Sequence, residues 1–407
     1  MRGPDILSLR RHLPKNDPSG GGVEAAPSSR AGHSRRPPRA TAQLSAYALF
    51  FPAATILAVA GPPLWIAVRL ESLGALIPLN AAQHAHEMLL GFASAIMAGF
   101  LITKGGRPMI LLTFCVWIAA RLAAIGLIPW PATLGAIASL AFVGLLFVQA
   151  GLPFLRAARV GHNMVFAPIL VVLLLTEAAY QIGGWSEAGA MRDRAMLVAL
   201  DAIAAMMFAM GGRIIAGASA AELRRRAITV DHRAHLPLEW IGTLSIAVAA
   251  AGDASGWQRA AAWALGLAGA ATTWRLLKWR PWRLLGQREL SLLALGYAWL
   301  SIGLLLPATG WLPRTEAAHA LAIGALGTLG QVMMIRTVIQ RRRLTQSFPA
   351  AAAISAAAIS VAAILRLSVP VLGGDGLVAA ASAWAASFLL FLAVLGRLLA
   401  TRTSLGR

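Results

Sequence analysis

Acidic side chains are scarce in this sequence. There are 16 Asp and Glu against 36 Lys and Arg, and the four charged types together make up 13% of its 407 residues. That is about half the charged share of an ordinary soluble domain, and the hydrophobic share, 58%, lies far above the usual one. Such a chain has too few charges to cover a water-facing surface, and it reads as an integral membrane protein. Cysteine is scarcer still. Cys115 is the single one and lies within an apolar run, which excludes an intramolecular disulfide and any metal site built from several thiolates. Any metal must therefore be held by nitrogen, oxygen or thioether ligands.

What is present is a series of long apolar runs. A helix crossing the hydrocarbon core needs about 20 such residues. Runs of that kind fall near 44–68, 84–103, 109–127, 132–154, 164–184, 195–218, 236–254, 259–277, 290–310, 317–339, 349–367 and 376–400. They predict an all-α polytopic membrane bundle of about twelve transmembrane helices over residues 44–400. Residues 1–43 carry eight Lys and Arg among Pro, Gly and Ser with no hydrophobic periodicity, the composition of a disordered basic tail. Residues 401–407 form a short second tail.

The net charge of +20 could mean nucleic acid, anionic lipid or topology, and its distribution decides. Alternate connections on one side hold fifteen Lys and Arg, with clusters at Arg224–Arg226, Lys278–Arg288 and Arg341–Arg343. The other side holds Arg69, Arg192, Arg194 and Arg314, with Arg259 at a boundary. The positive-inside rule makes the first side cytoplasmic, together with both termini. The charge excess is thus topological, and no nucleic-acid partner is implied.

With that orientation His84, His86 and His319 lie at the outer face, the first two opening the second span and the third opening the tenth. His162, His232 and His235 fall at the cytoplasmic face. Two distant segments therefore deliver imidazoles to one level, and imidazole is the common protein ligand for haem iron and copper. Residues two apart on an α-helix point about 200° apart, so in a regular helix His84 and His86 cannot share one metal. The alternative is that they cap a helix near water while His319 hydrogen-bonds a neighbouring span. Small residues recur nearby, at Gly91, Ala95 and Gly99 and at Gly324, Gly327 and Gly330, where helices can approach closely.

Buried charge adds a second signal. Arg121, Glu177 and Asp201 each lie six or seven residues below the outer end of their span, or roughly 9–10 Å at the α-helical rise. A common depth permits pairing, and an unpaired charge there is costly. Arg121 can neutralise one of these carboxylates or bind an anionic cofactor group such as a haem propionate. Met206, Met207 and Met210 cluster in the sixth span. Thioethers bind copper(I), but packing is the commoner role of methionine in such helices, and no metal is assigned to them.

The stretches "HAHEMLLGFASAIMAGFLIT" at 84–103, "WIAARLA" at 117–123, "GGRIIAG" at 211–217, "LGYAWLSIGLLL" at 295–306 and "HALAIGALGTLGQVMMIRT" at 319–337 resemble the NnrS family of membrane haem- and copper-containing proteins associated with the response to nitric oxide. The resemblance implies haem and copper as cofactors, nitric oxide as the small-molecule ligand, and a multi-pass protein of a bacterial inner membrane in contact with lipid. It points to His84, His86 and His319 as metal ligands and to Arg213 of the Gly-Gly-Arg stretch as a cofactor-binding residue; Arg121 is the cofactor-binding candidate that its depth gives. It leaves open whether nitric oxide is turned over or only bound. The chain departs from the family pattern at Gln83, where a tryptophan is expected, and at the shortened Lys104-Gly105 connection. Two other functions fit the residues alone: a proton-coupled secondary transporter using Glu177 and Asp201, and a non-catalytic sensor or scaffold using the basic tail.

Overall fold

The computed structural model describes residues 45–70, 79–103, 105–126, 130–156, 165–228 and 236–401. The basic tail, the last six residues and His162, His232 and His235 lie outside the described residues. Among the described residues twelve long helices follow one another in chain order: α1 (Ala46–Arg69), α2 (residues 81–101), α3 (Arg107–Ala124), α4 (Ala132–Arg156), α5 (Phe166–Trp185), α6 (Gly189–Arg225), α7 (Leu236–Ser255), α8 (Gln258–Lys278), α9 (Arg288–Thr309), α10 (Arg314–Arg341), α11 (Ala350–Leu367) and α12 (Val369–Ala400). No strand occurs among the described residues. The chain is an all-α membrane bundle.

Nine of the helices, all except α2, α7 and α8, are long and apolar enough to cross a membrane, counted among the described residues. The other three coincide with the second, seventh and eighth hydrophobic runs but carry more polar groups. α2 opens on Gln83, His84, His86 and Glu87, α7 contains Glu239 and Asp253, and α8 contains Arg259, Arg275 and Lys278. The helix α6, with 37 residues, is about 55 Å long, longer than a hydrocarbon core is thick.

Successive helices pack side by side, and α1 packs against both α2 and α12. The core consists mainly of aromatic and small residues, with Phe50, Phe51, Phe92, Phe142, Phe388 and Phe391 fully buried. The exposed apolar residues face outward, as a lipid-facing surface requires: Leu175, Leu244, Val248 and Ile364 are all exposed. Exposed tryptophans gather at the two ends. Trp130, Trp185, Trp257 and Trp311 lie at one end, and Trp240, Trp274 and Trp282 at the other. Tryptophan favours the membrane–water boundary on both sides of a bilayer.

Among the described residues four helices depart from α geometry internally: α12 kinks at Gly373, whose φ is 62°, and three others contain π-helical turns. π-Helical turns occupy Glu87–Ala93 in α2, Phe147–Gly151 in α4 and Ala320–Ala325 in α10. Two of these stretches begin next to the histidines of the sequence motifs, and π-helical insertions are frequent at functional sites. The glycines in these stretches give way to side chains. A Cβ on Gly91 would lie 2.7 Å from Arg121 Nη1, and one on Gly324 would lie 2.5 Å from the Trp299 ring.

Candidate functional site

The first turn of α2 is fixed by Asn80, whose Oδ1 accepts from the Gln83 backbone N–H at 2.9 Å, while Gln83 Nε2 donates to the carbonyl of Ala124 at the end of α3 at 2.6 Å. From this anchored turn the two imidazoles leave in different directions. His84 stacks on Trp65 of α1, with ring centroids 5.3 Å apart. His86 stacks on Tyr180 of α5, with ring centroids 4.3 Å apart.

His86 is buried in a charged network. Its Nε2 lies 2.9 Å from Glu177 Oε2, and its Nδ1 lies 3.2 Å from Glu87 Oε1. Arg121 Nη1 donates to the same Glu87 oxygen at 2.7 Å, and Arg121 Nη2 donates to Ser139 Oγ at 3.2 Å. Gln181 Nε2 donates to Glu177 Oε1 at 2.6 Å. Residues from α2, α3, α4 and α5 thus form one chain of polar contacts, in which His86, Glu87, Arg121 and Glu177 are all buried. A neutral imidazole has only one N–H to donate, so two carboxylate partners are both satisfied only by the imidazolium. In that state two positive and two negative groups balance. Paired this way, His86 has no lone pair to offer a metal.

His319 is arranged differently. Its Nδ1 lies 3.0 Å from the Thr315 carbonyl and 3.3 Å from that of Glu316. A carbonyl can only accept, so the proton sits on Nδ1 and the lone pair is at Nε2. This is how a metal-ligating histidine is usually oriented. Both His84 and His319 are partly buried, and His84 lies within electrostatic range of His319 and of Arg366 on α11. Arg366 is paired with Glu316 at 2.5 Å.

The pairing scheme read from depth alone is corrected here. Arg121 pairs with neither Glu177 nor Asp201 but with Glu87, which reaches it because the π-helical turn and Gly91 bring α2 and α3 together. Asp201 belongs to a separate cluster. Arg314 Nη2 donates to Asp201 Oδ1 at 2.7 Å and to Asp253 Oδ2 at 3.0 Å, joining α6, α7 and α10. Arg314, counted from sequence as a connection charge, is therefore a buried partner in an ion cluster. Glu87 stood next to His86 in the motif and was legible there as a neighbour, but no spacing rule revealed Asp253.

Arg213 stands apart from all three histidines. It is exposed on α6, roughly 18 Å along the helix from Asp201, with its guanidinium 5.2 Å from the centre of the Phe166 ring. Met206, Met207 and Met210 line an apolar cavity of about 100 Å³ with Met97, Met333 and Met334. Among the described residues no three His, Cys, Asp or Glu side chains are grouped as a metal cage requires.

A family model described as NnrS protein matches residues 44–402, nearly the whole chain. The chain belongs to the NnrS family. No curated protein matches its sequence.

Proposed function

We propose, with membership of the NnrS family as the premise, that this membrane protein binds haem and copper and acts in the response to nitric oxide and nitrosative stress, with His84 and His319 as imidazole ligands at its outer face. The observation that carries the reading is the orientation of His319, whose Nδ1 is committed to backbone carbonyls while Nε2 is left as a lone pair. His84 lies in the same electrostatic neighbourhood on a different helix. Two imidazoles do not make a closed cage for a bare ion, but haem brings its own macrocycle and asks the protein for only one or two axial ligands.

When bound, haem iron supplies a direct binding site for nitric oxide. The chain's own residues do the rest. Arg366, held by Glu316, gives a cation suited to an anionic edge, and the ion network around His86 fixes the helix that carries His84. The methionine-lined cavity offers an apolar diatomic molecule room inside the bundle. Copper is less well provided for, because His86 must release a carboxylate before it can ligate. The positive-inside asymmetry supports both termini lying in the cytoplasm of a bacterial cell, with the histidine face outward across the inner membrane.

The test is a visible spectrum, a pyridine haem assay and elemental analysis of protein purified in mild detergent from cells supplied with haem and copper. Wild-type protein should carry haem, and His84→Ala and His319→Ala should each lower its content or alter its spectrum while the circular dichroism stays helical. Haem-free wild-type protein, or unchanged iron, copper and spectrum in both variants, would overturn the reading.

A further inference from the structure

The cluster of Asp201, Asp253 and Arg314 has an unbalanced charge. Asp201 is fully buried, Asp253 is 1% exposed, and the Arg314 side chain is 8% exposed. One guanidinium nitrogen serves both carboxylates, at 2.7 and 3.0 Å. Two ionised carboxylates and one arginine leave a net charge of −1 beneath the membrane surface, which is expensive without a counter-charge. The other charged groups nearby do not supply one. On α6, Arg194 is exposed, and Gly256 lies against it beyond the end of α7. On α8, Arg259 is exposed. On α9 no residue after Glu289, at the far end of the helix, is charged. On α10 and α11, Glu316 and Arg366 neutralise each other.

Four buried polar atoms of this cluster lack a partner. Asp201 Oδ2 and Asp253 Oδ1 are buried without a partner, as are Nε and Nη1 of Arg314, and the two carboxyl groups meet on the same guanidinium nitrogen. Two carboxylates cannot bond to each other, because both only accept. A carboxylate and a carboxylic acid can. One proton added to the pair turns one carboxyl into a donor beside the acceptor oxygens of the other and cancels the excess charge, as it does where two aspartates share a site.

We propose that Asp201 and Asp253 form a one-proton binding site at the outer end of the bundle, with Arg314 holding the remaining negative charge. The site spans three helices, and its cation is the first residue of the helix that bears His319 five positions later. Loss of the proton restores the uncompensated charge, so release must be accompanied by water entry or by separation of α10 from α6 and α7. The site requires no cofactor.

The test is infrared spectroscopy of full-length protein in liposomes at neutral pH, in H₂O and D₂O, with and without carboxyl-¹³C-labelled aspartate. A protonated carboxyl C=O band is expected that shifts with the aspartate label, shifts slightly in D₂O and is unchanged by sodium or potassium. Asp201→Asn and Asp253→Asn should each abolish it, since the remaining carboxylate is balanced by Arg314 alone. The proposal fails if wild-type protein lacks the band, if the aspartate label does not move it, if it persists in both variants, or if added sodium removes it. The labelled wild-type protein decides the matter even if the variants fold poorly, and haem content has no bearing on the result.

Discussion

His86 and His319 sit just inside the same end of the bundle, each next to a π-helical stretch and each five residues before a glycine. Their surroundings are opposite. Both nitrogens of His86 are held by carboxylates and its ring lies on Tyr180, so its surroundings hold a charge in place. His319 is held through one nitrogen by its own helix backbone, which leaves the other free to act. The comparison teaches that residue type and membrane level do not define a ligand. What the second nitrogen is bonded to does.

The comparison breaks most visibly at the buried network. Arg121→Leu leaves the buried network of His86, Glu87 and Glu177 with one uncompensated negative charge, and loss of one partner of a buried pair costs about 3–5 kcal/mol. A large fall in thermal unfolding temperature in detergent is expected. The double variant Arg121→Leu/Glu87→Leu should recover part of it, because it leaves no orphan charge. A single variant that melts like wild type would show that the network contributes nothing to stability.

A smaller effect should follow at the two glycines that admit side chains into the π-helical turns. Gly91→Ala pushes against Arg121, and Gly324→Ala pushes against Trp299, whose indole N–H donates to Ser360 Oγ at 2.8 Å. Overpacking of this kind costs about 1–3 kcal/mol. Thermal melts of both variants check the magnitude, and the parallel is sharpened if Gly91→Ala loses its effect in an Arg121→Leu background while Gly324→Ala does not.

Much of the fold was legible in the sequence because the bilayer sets the length of each element. All twelve apolar runs lie on helices, including α7, whose run is interrupted by Glu239 and Asp253. The helices that overran their predicted limits, α6 and α12, extend through segments such as 189–194, whose polarity hides helix from a hydropathy scan. The site was only partly legible. Hydropathy located His84, His86 and His319 at one end, but it could not show which imidazole was paired, because that depends on Glu177 in another helix. The π-helical turns were invisible as well. At the first of them Gly91 lies against both Leu57 of α1 and Arg121 of α3, a double contact that the spacing of small residues does not reveal. Asp253 was missed because a carboxylate near a helix end reads as an interfacial residue until its burial is known.

The smallest effect concerns Arg213, which the family motif groups with the histidines and the fold keeps apart from them. It is exposed in the half of α6 opposite Asp201, and its one close aromatic contact is the Phe166 ring at 5.2 Å. A cation over an aromatic ring at an exposed site contributes about 0.5–1 kcal/mol, so Arg213→Gln should shift the melting temperature only slightly. On the proposed haem-binding reading, haem content and spectrum should match those of wild type, since Arg213 lies about 18 Å along α6 from Asp201, away from the histidine end. A variant that folds normally but loses its haem would reverse the weight given to geometry here. It would place a cofactor group near the Gly-Gly-Arg stretch and move the search for ligands to the methionines of the adjoining cavity.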